Sequence, residues 1–259
     1  MRRVICDAAP MTVGLWAANF VESRIRAFQP TGDRPFCLGL PTGGTPLEMY
    51  KHLVAKHQKG LLSFEHVMTF NLDEYVGLPP EHPQSYRSYM NQHFFRQVEI
   101  PSQNINLLNG NATDLQAECD RYETKIRELG GLDLCIGGVG EEGHIAFNEA
   151  GSPWDSSTHL EVLAESTRRA NSRFFERDPA QVPEKALTMG MGTILAAREL
   201  IILAKGERKA IAVQQAIEGT PSLRWPVSAL QQHPRSILVC DLTASQGLSS
   251  PVHKLVLKT

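Results

Sequence analysis

Short apolar runs alternate with longer amphipathic stretches along the 259 residues, and this alternation restricts the fold more than any other feature. Several runs are apolar at every position, as in strands that are buried on both faces of a parallel sheet. The predicted strands are 4–6, 36–40, 66–70, 105–108, 132–136, 159–163, 187–189, 200–203 and 236–240. Helical spacing of apolar residues predicts helices over 11–28, 46–57, 114–129 and 207–217. The pattern indicates a single α/β domain over residues 1–259, with a mostly parallel sheet.

The balance of charge and the cysteine content exclude several classes of protein. Lysine and arginine total 26 and aspartate and glutamate total 28, which argues against a partner that is bound through bulk positive charge, such as nucleic acid or an anionic membrane. No apolar run approaches the roughly 18 residues that a membrane helix needs. The five cysteines form no CxxC pair, so a disulfide framework or a zinc ribbon is not expected. We expect a reduced, soluble cytoplasmic protein.

A glycine-containing loop follows the second predicted strand and opens a helix. Gly43 and Gly44 allow a ligand to approach the backbone, and the start of the helix offers free N–H groups to an anion. Thr42 and Thr45 add hydroxyl donors. The loop matches neither the Walker nor the GxGxxG pattern. Phosphate binding is one interpretation, and a tight turn in which Thr45 caps the helix and Pro46 is its first residue is the other.

Two further loops carry ionisable groups at predicted strand ends. Asp73 and Glu74 follow an apolar strand, where a partly buried carboxylate can act as a general base or simply cap a turn. His144 follows a run containing four glycines and is flanked by carboxylates that include Glu142 and Glu149. A carboxylate can orient a histidine for proton transfer, although a lone histidine is also often structural. One histidine with these acids is a weak zinc signal.

Basic residues form the fourth candidate group. Arg168, Arg169 and Arg173 lie close together, and Lys209 follows a predicted strand where a helix opens. A cation beside a helix N-terminus is a common phosphate clamp, whereas a solvated charged face is the alternative.

Together these motifs resemble the glucosamine-6-phosphate deaminase (isomerising) family. The resemblance reaches from the glycine loop to about residue 241 and is carried by the segments 40–46, 70–78, 82–86, 106–111, 143–149, 170–175, 182–183, 186–188 and 231–234. It implies a modified doubly wound, Rossmann-like sheet with helices on both faces. It also implies conversion of glucosamine 6-phosphate and water to fructose 6-phosphate and ammonia, in amino-sugar catabolism, without a metal or organic cofactor.

The resemblance also implies roles for individual residues. Asp73 would move the C2 proton, and His144 would open the sugar ring, with Glu142 and Glu149 orienting the imidazole. The substrate phosphate would be held by Thr42, Gly43, Gly44, Thr45, Arg173 and Lys209. Many members of the family have aspartate where this chain has Glu142, whose extra methylene changes the reach of the carboxylate. Residues 242–259 do not resemble the usual carboxyl-terminal region of the family. The resemblance alone leads us to expect a homo-oligomer, specifically a hexamer.

Some members of the family are activated by N-acetylglucosamine 6-phosphate through basic residues. Two of the corresponding positions hold His159 and Glu161 in this chain, and an acidic side chain repels a phosphate. We therefore predict that this effector does not activate the protein. Initial rates against substrate concentration should give the same curve with and without it, whereas a sigmoidal curve that the effector makes hyperbolic would refute the prediction.

Two other functions remain as alternatives. A 6-phosphogluconolactonase-type hydrolase shares the glycine loop and a Gly-His pair, but the Phe147–Glu149 continuation after the histidine favours the deaminase. A non-enzymatic sugar-phosphate sensor would normally carry an added DNA-binding module. The charge balance shows no excess of basic residues of the kind that DNA binding needs.

Overall fold

A seven-stranded parallel sheet forms the centre of the protein, in a computed structural model that describes residues 2–6 and 11–249. The strands are β1 (Arg2–Cys6), β2 (Phe36–Leu40), β3 (Val67–Asn71), β5 (Ile105–Asn106), β6 (Leu134–Gly138), β9 (Leu200–Ala204) and β10 (Ser236–Asp241). Their order is β1-β10-β9-β6-β2-β3-β5, and every pair is parallel. β2 and β9 are buried at every residue, as their continuous apolar sequences predict.

Helices cover both faces of this sheet. The helices are α1 (Val13–Phe28), α2 (Leu47–Gln58), α3 (Tyr86–His93), α4 (Leu115–Glu128), α5 (Glu165–Asn171), α6 (Met191–Leu195) and α7 (Ala210–Ile217), of which α5 belongs to neither core on the sheet. One apolar core packs α1, α2 and α3 on the sheet, and a second packs α4, α6 and α7 on the other face. The α/β fold with helices on both faces is therefore confirmed.

Side-chain caps explain where several helices begin. Thr12 accepts a hydrogen bond from the Leu15 amide at the start of α1 (3.2 Å), and Asp114 accepts one from the Ala117 amide at the start of α4 (2.9 Å). Such a side chain satisfies one of the amides that a first helical turn leaves without a partner. The boundaries of the predicted helices 11–28 and 114–129 are accordingly correct to within two residues.

A second, antiparallel sheet was not predicted. It consists of β4 (Asp73–Tyr75), β8 (Lys185–Thr188) and β7 (His159–Val162), in the order β4-β8-β7. The strands predicted at 159–163 and 187–189 exist as β7 and β8, and both belong to this second sheet. The chain bends at Leu72 and leaves the main sheet after β3, so that β4 can pair with β8. This places Asp73 beyond the carboxyl end of β3, above the main sheet.

The structure also bears on the predictions about membrane helices, cysteines and the carboxyl-terminal tail. No helix of the described residues is long and apolar enough to cross a membrane. Cys37, Cys119 and Cys135 are buried free thiols, and Cys240 is also buried. Part of the predicted divergent tail, residues 250–259, lies outside the described residues.

Candidate active site

A cavity of about 370 Å³ opens at the carboxyl edge of the parallel sheet. Loops that follow β2, β3, β6 and β9 line it, together with α3 and the segment after α5. Open α/β sheets bind ligands at this edge, because loops from neighbouring strands converge there. The cavity is lined by eight of the ten residues to which the resemblance gives a role: Thr42, Gly43, Gly44, Thr45, Asp73, His144, Arg173 and Lys209.

The glycine loop presents backbone to the cavity. Gly43 has a φ of +96°, which favours glycine, and its carbonyl accepts a hydrogen bond from the Tyr89 hydroxyl (2.7 Å). α2 begins at Leu47, with Pro46 at the capping position and no side-chain cap. Thr45 is therefore not the cap that the alternative interpretation required. The uncapped first turn faces the cavity with N–H groups that are suited to an anion.

Two cations, Arg173 and Lys209, line the same cavity as this loop. Lys209 ends a 3₁₀ turn before α7. Burial lowers its pKa despite the opposing charge of nearby Glu141, and the charge of Arg173 lowers it further. Neither cation forms a salt bridge with a carboxylate among the described residues. Two close cations that form no salt bridge are stabilised by an added anion, so this end of the cavity suits a phosphate group.

Asp73 is 7% exposed and lines the cavity. Burial, and then the neighbouring charge of Glu74, raises its pKa to about 8. Its Oδ1 atom is buried and has no hydrogen-bond partner among the described residues. A desolvated carboxylate that is not engaged elsewhere is a strong base, which is what proton removal from carbon requires.

The adjacent Glu74 has a different task. Its carboxylate accepts hydrogen bonds from the backbone amides of Tyr75, Tyr86 and Arg87, each at 2.9 Å. Two of these amides belong to the first turn of α3, so Glu74 anchors the start of that helix. Of the two adjacent acids in the sequence, the structure therefore leaves only Asp73 free for chemistry.

The His144 imidazole lies against the backbone of Gly140. The Gly140 amide donates to the His144 carbonyl (2.9 Å), and a β-carbon on Gly140 would overlap the imidazole ring. Burial, with the charge of Lys209 as a second cause, lowers the pKa of His144 to about 4. The imidazole is therefore neutral near pH 7 and can both accept and donate a proton.

Several contacts hold the loop that carries His144. The Asn148 side chain donates to the carbonyls of Ile145 (3.0 Å) and Met189 (2.8 Å). The Phe147 amide donates to the Thr188 hydroxyl (3.2 Å), and Thr188 pairs with Asp73 across β4 and β8. Asp73 and the loop that carries His144 are thus both attached to the β4–β8 strand pair.

Glu142 and Glu149 lie outside the lining of the cavity. The Glu142 side chain is exposed and accepts from the Ser166 hydroxyl (3.2 Å). Glu149 accepts from the Thr167 hydroxyl (2.6 Å) and from the Ala164 amide (3.2 Å). Both carboxylates contact the start of α5, and the described contacts include no hydrogen bond between either of them and the imidazole. Their role in orienting His144 stays a prediction.

An aromatic wall completes the cavity, and the sequence analysis did not assign it a function. Tyr75, Tyr86, Phe147 and Phe175 pack together with ring centroids 4.9–6.0 Å apart. Asn171 joins them through a hydrogen bond to the Tyr75 hydroxyl (3.0 Å). Tyr75 and Tyr86 lie within the motifs of the resemblance, but only the fold shows that residues so far apart in the chain meet here.

Comparison with known proteins identifies the family. A sequence model of the family described as glucosamine-6-phosphate isomerases/6-phosphogluconolactonase matches residues 12–239. The chain belongs to this family. Within it, the chain is 55% identical over 246 residues to a glucosamine-6-phosphate deaminase of Proteus mirabilis, covering 95% of this chain and 92% of the relative. A relative of the same name from Erwinia tasmaniensis is 56% identical with the same coverage.

Solved structures of the family show the same architecture. A structure described as a monomeric glucosamine-6-phosphate deaminase superposes with a TM-score of 0.87 at 40% identity, covering 95% of this chain and all of the other. A 6-phosphogluconolactonase from Trypanosoma cruzi gives a TM-score of 0.75 at 20% identity, covering 96% and 97%. The second likeness concerns the fold alone, whereas the first joins fold with substantial sequence identity.

Proposed function

We propose that the protein converts glucosamine 6-phosphate and water to fructose 6-phosphate and ammonia. The observation that carries the proposal is that Asp73 and His144 share one cavity with a glycine turn and two cations. Relatives more than half identical to the chain are named for this activity. Ammonia release from glucosamine 6-phosphate by the purified protein tests it, with 6-phosphogluconolactone as the competing substrate.

Ring opening is the first chemical step. The closed sugar needs a proton removed from O1 and a proton supplied to O5, and one neutral imidazole can do both in turn. His144 is suited to this because its pKa is held near 4, so that the ring accepts a proton without first losing one. Gly140 supports the face of the ring and limits its movement.

Transfer of the C2 proton follows. The open-chain form has an aldehyde next to C2, so a positioned base can remove the C2 proton to give an enolamine. Asp73 fits this step because burial raises its proton affinity and leaves Oδ1 free of competing hydrogen bonds. Return of a proton to C1 gives the ketose imine, and water then releases ammonia.

The phosphate end of the substrate sets the alignment of the reacting carbons. The amides of the glycine turn and the charges of Arg173 and Lys209 would hold this group at one side of the cavity. Binding energy gained at a remote phosphate can be used to orient C1 and C2 against the catalytic groups.

The Lys209→Met variant tests whether Lys209 helps to bind the substrate phosphate. Loss of a charge-assisted contact is expected to lower kcat/KM by about 10–100-fold, mainly through KM. Steady-state kinetics on glucosamine 6-phosphate measure the effect. Arg208→Met is the matched control, because the neighbouring cation is exposed and directed at Glu141 (3.7 Å). Equal losses in both variants would contradict a local phosphate site.

The pH profile tests the base. Asp73 must be ionised to accept the C2 proton, so kcat/KM should rise as the pH increases and level off above about 8, the pKa of Asp73. His144 stays neutral over this range and adds no second step. The inhibition constant of a non-reacting hexose 6-phosphate, measured at the same pH values, removes the titration of the phosphate itself. A flat kcat/KM from pH 6 to pH 9 would contradict the assignment.

The cellular setting follows from this reaction. We propose that the protein acts in the cytoplasm, in the catabolism of amino sugars, including N-acetylglucosamine. The homo-oligomer implied by the resemblance stays a prediction, and light scattering of the purified protein measures the number of subunits.

A further inference from the structure

Arg173 lies between two residues that contact the same tyrosine. Asn171, the last residue of α5, donates to the Tyr75 hydroxyl (3.0 Å). Phe175 packs edge-on against the Tyr75 ring, with centroids 5.7 Å apart. Arg173 is midway between them, in a 3₁₀ turn over Ser172–Phe174. Its guanidinium stacks over Phe174 of the same turn (4.7 Å), so the location of this turn sets the location of the charge.

Tyr75 itself is held firmly in the fold. It is 2% exposed, lies on β4 and packs against Tyr86 and Phe147 at centroid distances of 4.9 and 5.4 Å. It is also two residues from Asp73 on the same short strand. A group fixed to Tyr75 is therefore fixed relative to the candidate base.

The other end of α5 is attached independently. Glu149 accepts hydrogen bonds from Ala164 and Thr167, and Glu142 accepts one from Ser166. These contacts hold the start of the helix to the His144 loop. The contact between Asn171 and Tyr75 then sets where the helix ends and where the turn with Arg173 begins.

We propose that Tyr75 is a positioning residue for phosphate recognition, which holds the Arg173 turn in place through Asn171 and Phe175. The hydroxyl fixes the residue before the turn and the ring fixes the residue after it. The proposal rests on the proposed function, because it assigns Arg173 to the substrate phosphate. It requires no contact between Tyr75 and the substrate.

The test combines two single variants and their double variant. Tyr75→Phe keeps the ring and removes the acceptor, and Asn171→Ala removes the donor. Each should raise KM for glucosamine 6-phosphate about fivefold and change kcat less than twofold, as expected for the loss of one hydrogen bond. The Tyr75 hydroxyl also interacts with Tyr86. The double variant should nevertheless show the KM of Tyr75→Phe alone, because the contact with Asn171 is already lost in that variant. Ser172→Ala, which removes a hydrogen bond to the Arg169 carbonyl in the same segment, is the matched control and should leave KM unchanged.

Three results would overturn the proposal while leaving the enzyme active. Increases in KM that multiply in the double variant would show that Tyr75 and Asn171 act independently of each other, and an equal effect of Ser172→Ala would show that any weakening of the segment is enough. Thermal unfolding of Tyr75→Phe within about 2 °C of the wild type excludes loss of the fold, and the dissociation constant of fructose 6-phosphate repeats the KM comparison without turnover. Absence of ammonia release by the wild-type protein would overturn the proposed function, whereas activity with unchanged KM in both variants overturns only this inference.

Discussion

Asp73→Asn is expected to lower the turnover of glucosamine 6-phosphate by about 10²–10⁴-fold, the range that general base catalysis supplies. The side chain keeps its size and loses only the ability to accept the C2 proton. Binding should persist, because the proposed phosphate site lies elsewhere in the cavity. Ammonia release gives kcat, and the dissociation constant of fructose 6-phosphate reports binding.

Thermal unfolding provides the control for this variant. The folded-state pKa of Asp73, about 8, exceeds the value of about 3.9 for an unfolded aspartate, so the folded state loses stability as the pH rises from about 4 to 8. Asparagine carries no charge, and the melting temperature of Asp73→Asn should exceed that of the wild type more at pH 9 than at pH 5. About 2–4 °C is expected for each kcal/mol. A variant that keeps wild-type turnover would exclude Asp73 as the base.

Gly140→Ala is expected to lower turnover about 100-fold, although the substitution replaces no ionisable side chain. The new methyl would occupy the space of the His144 imidazole and push the ring from its position. A displacement of about 1 Å can cost a factor of about 10² when it misplaces a reacting group. Steady-state ammonia release measures the loss, and KM should change far less than kcat.

A double variant separates this effect from general damage to the loop. His144→Ala removes the ring itself, so adding Gly140→Ala to it should produce little further loss. Losses that multiply in the double variant would show that Gly140 acts on something other than His144. Unchanged turnover in Gly140→Ala would contradict the close packing of glycine and imidazole.

Much of the fold could be predicted because the main strands are buried on both faces. A run such as Phe36–Leu40 is apolar throughout, and its position and type follow from that pattern. The antiparallel sheet could not be predicted, since Asp73–Tyr75 is only three residues long and carries no strand periodicity. Its partner strands have only four residues each, and only pairing across the fold shows that they form a separate sheet.

The residues of the site could be predicted where they lie in a loop that directly follows a strand. Thr42, Asp73 and His144 each follow a strand, and the carboxyl ends of parallel strands meet at one edge. Contacts between distant segments could not be predicted, because no local sequence pattern pairs Tyr75 with Asn171, 96 residues later. The same applies to Glu149, whose partner Thr167 lies on a helix that the sequence analysis did not predict.

One coupled assay tests the central claim most directly. Purified protein is incubated with glucosamine 6-phosphate, and ammonia and fructose 6-phosphate are measured in the same sample, with 6-phosphogluconolactone in a parallel reaction. We predict equal molar amounts of ammonia and fructose 6-phosphate, and no acceleration of lactone hydrolysis. Hydrolysis of the lactone without release of ammonia from the amino sugar would contradict the account.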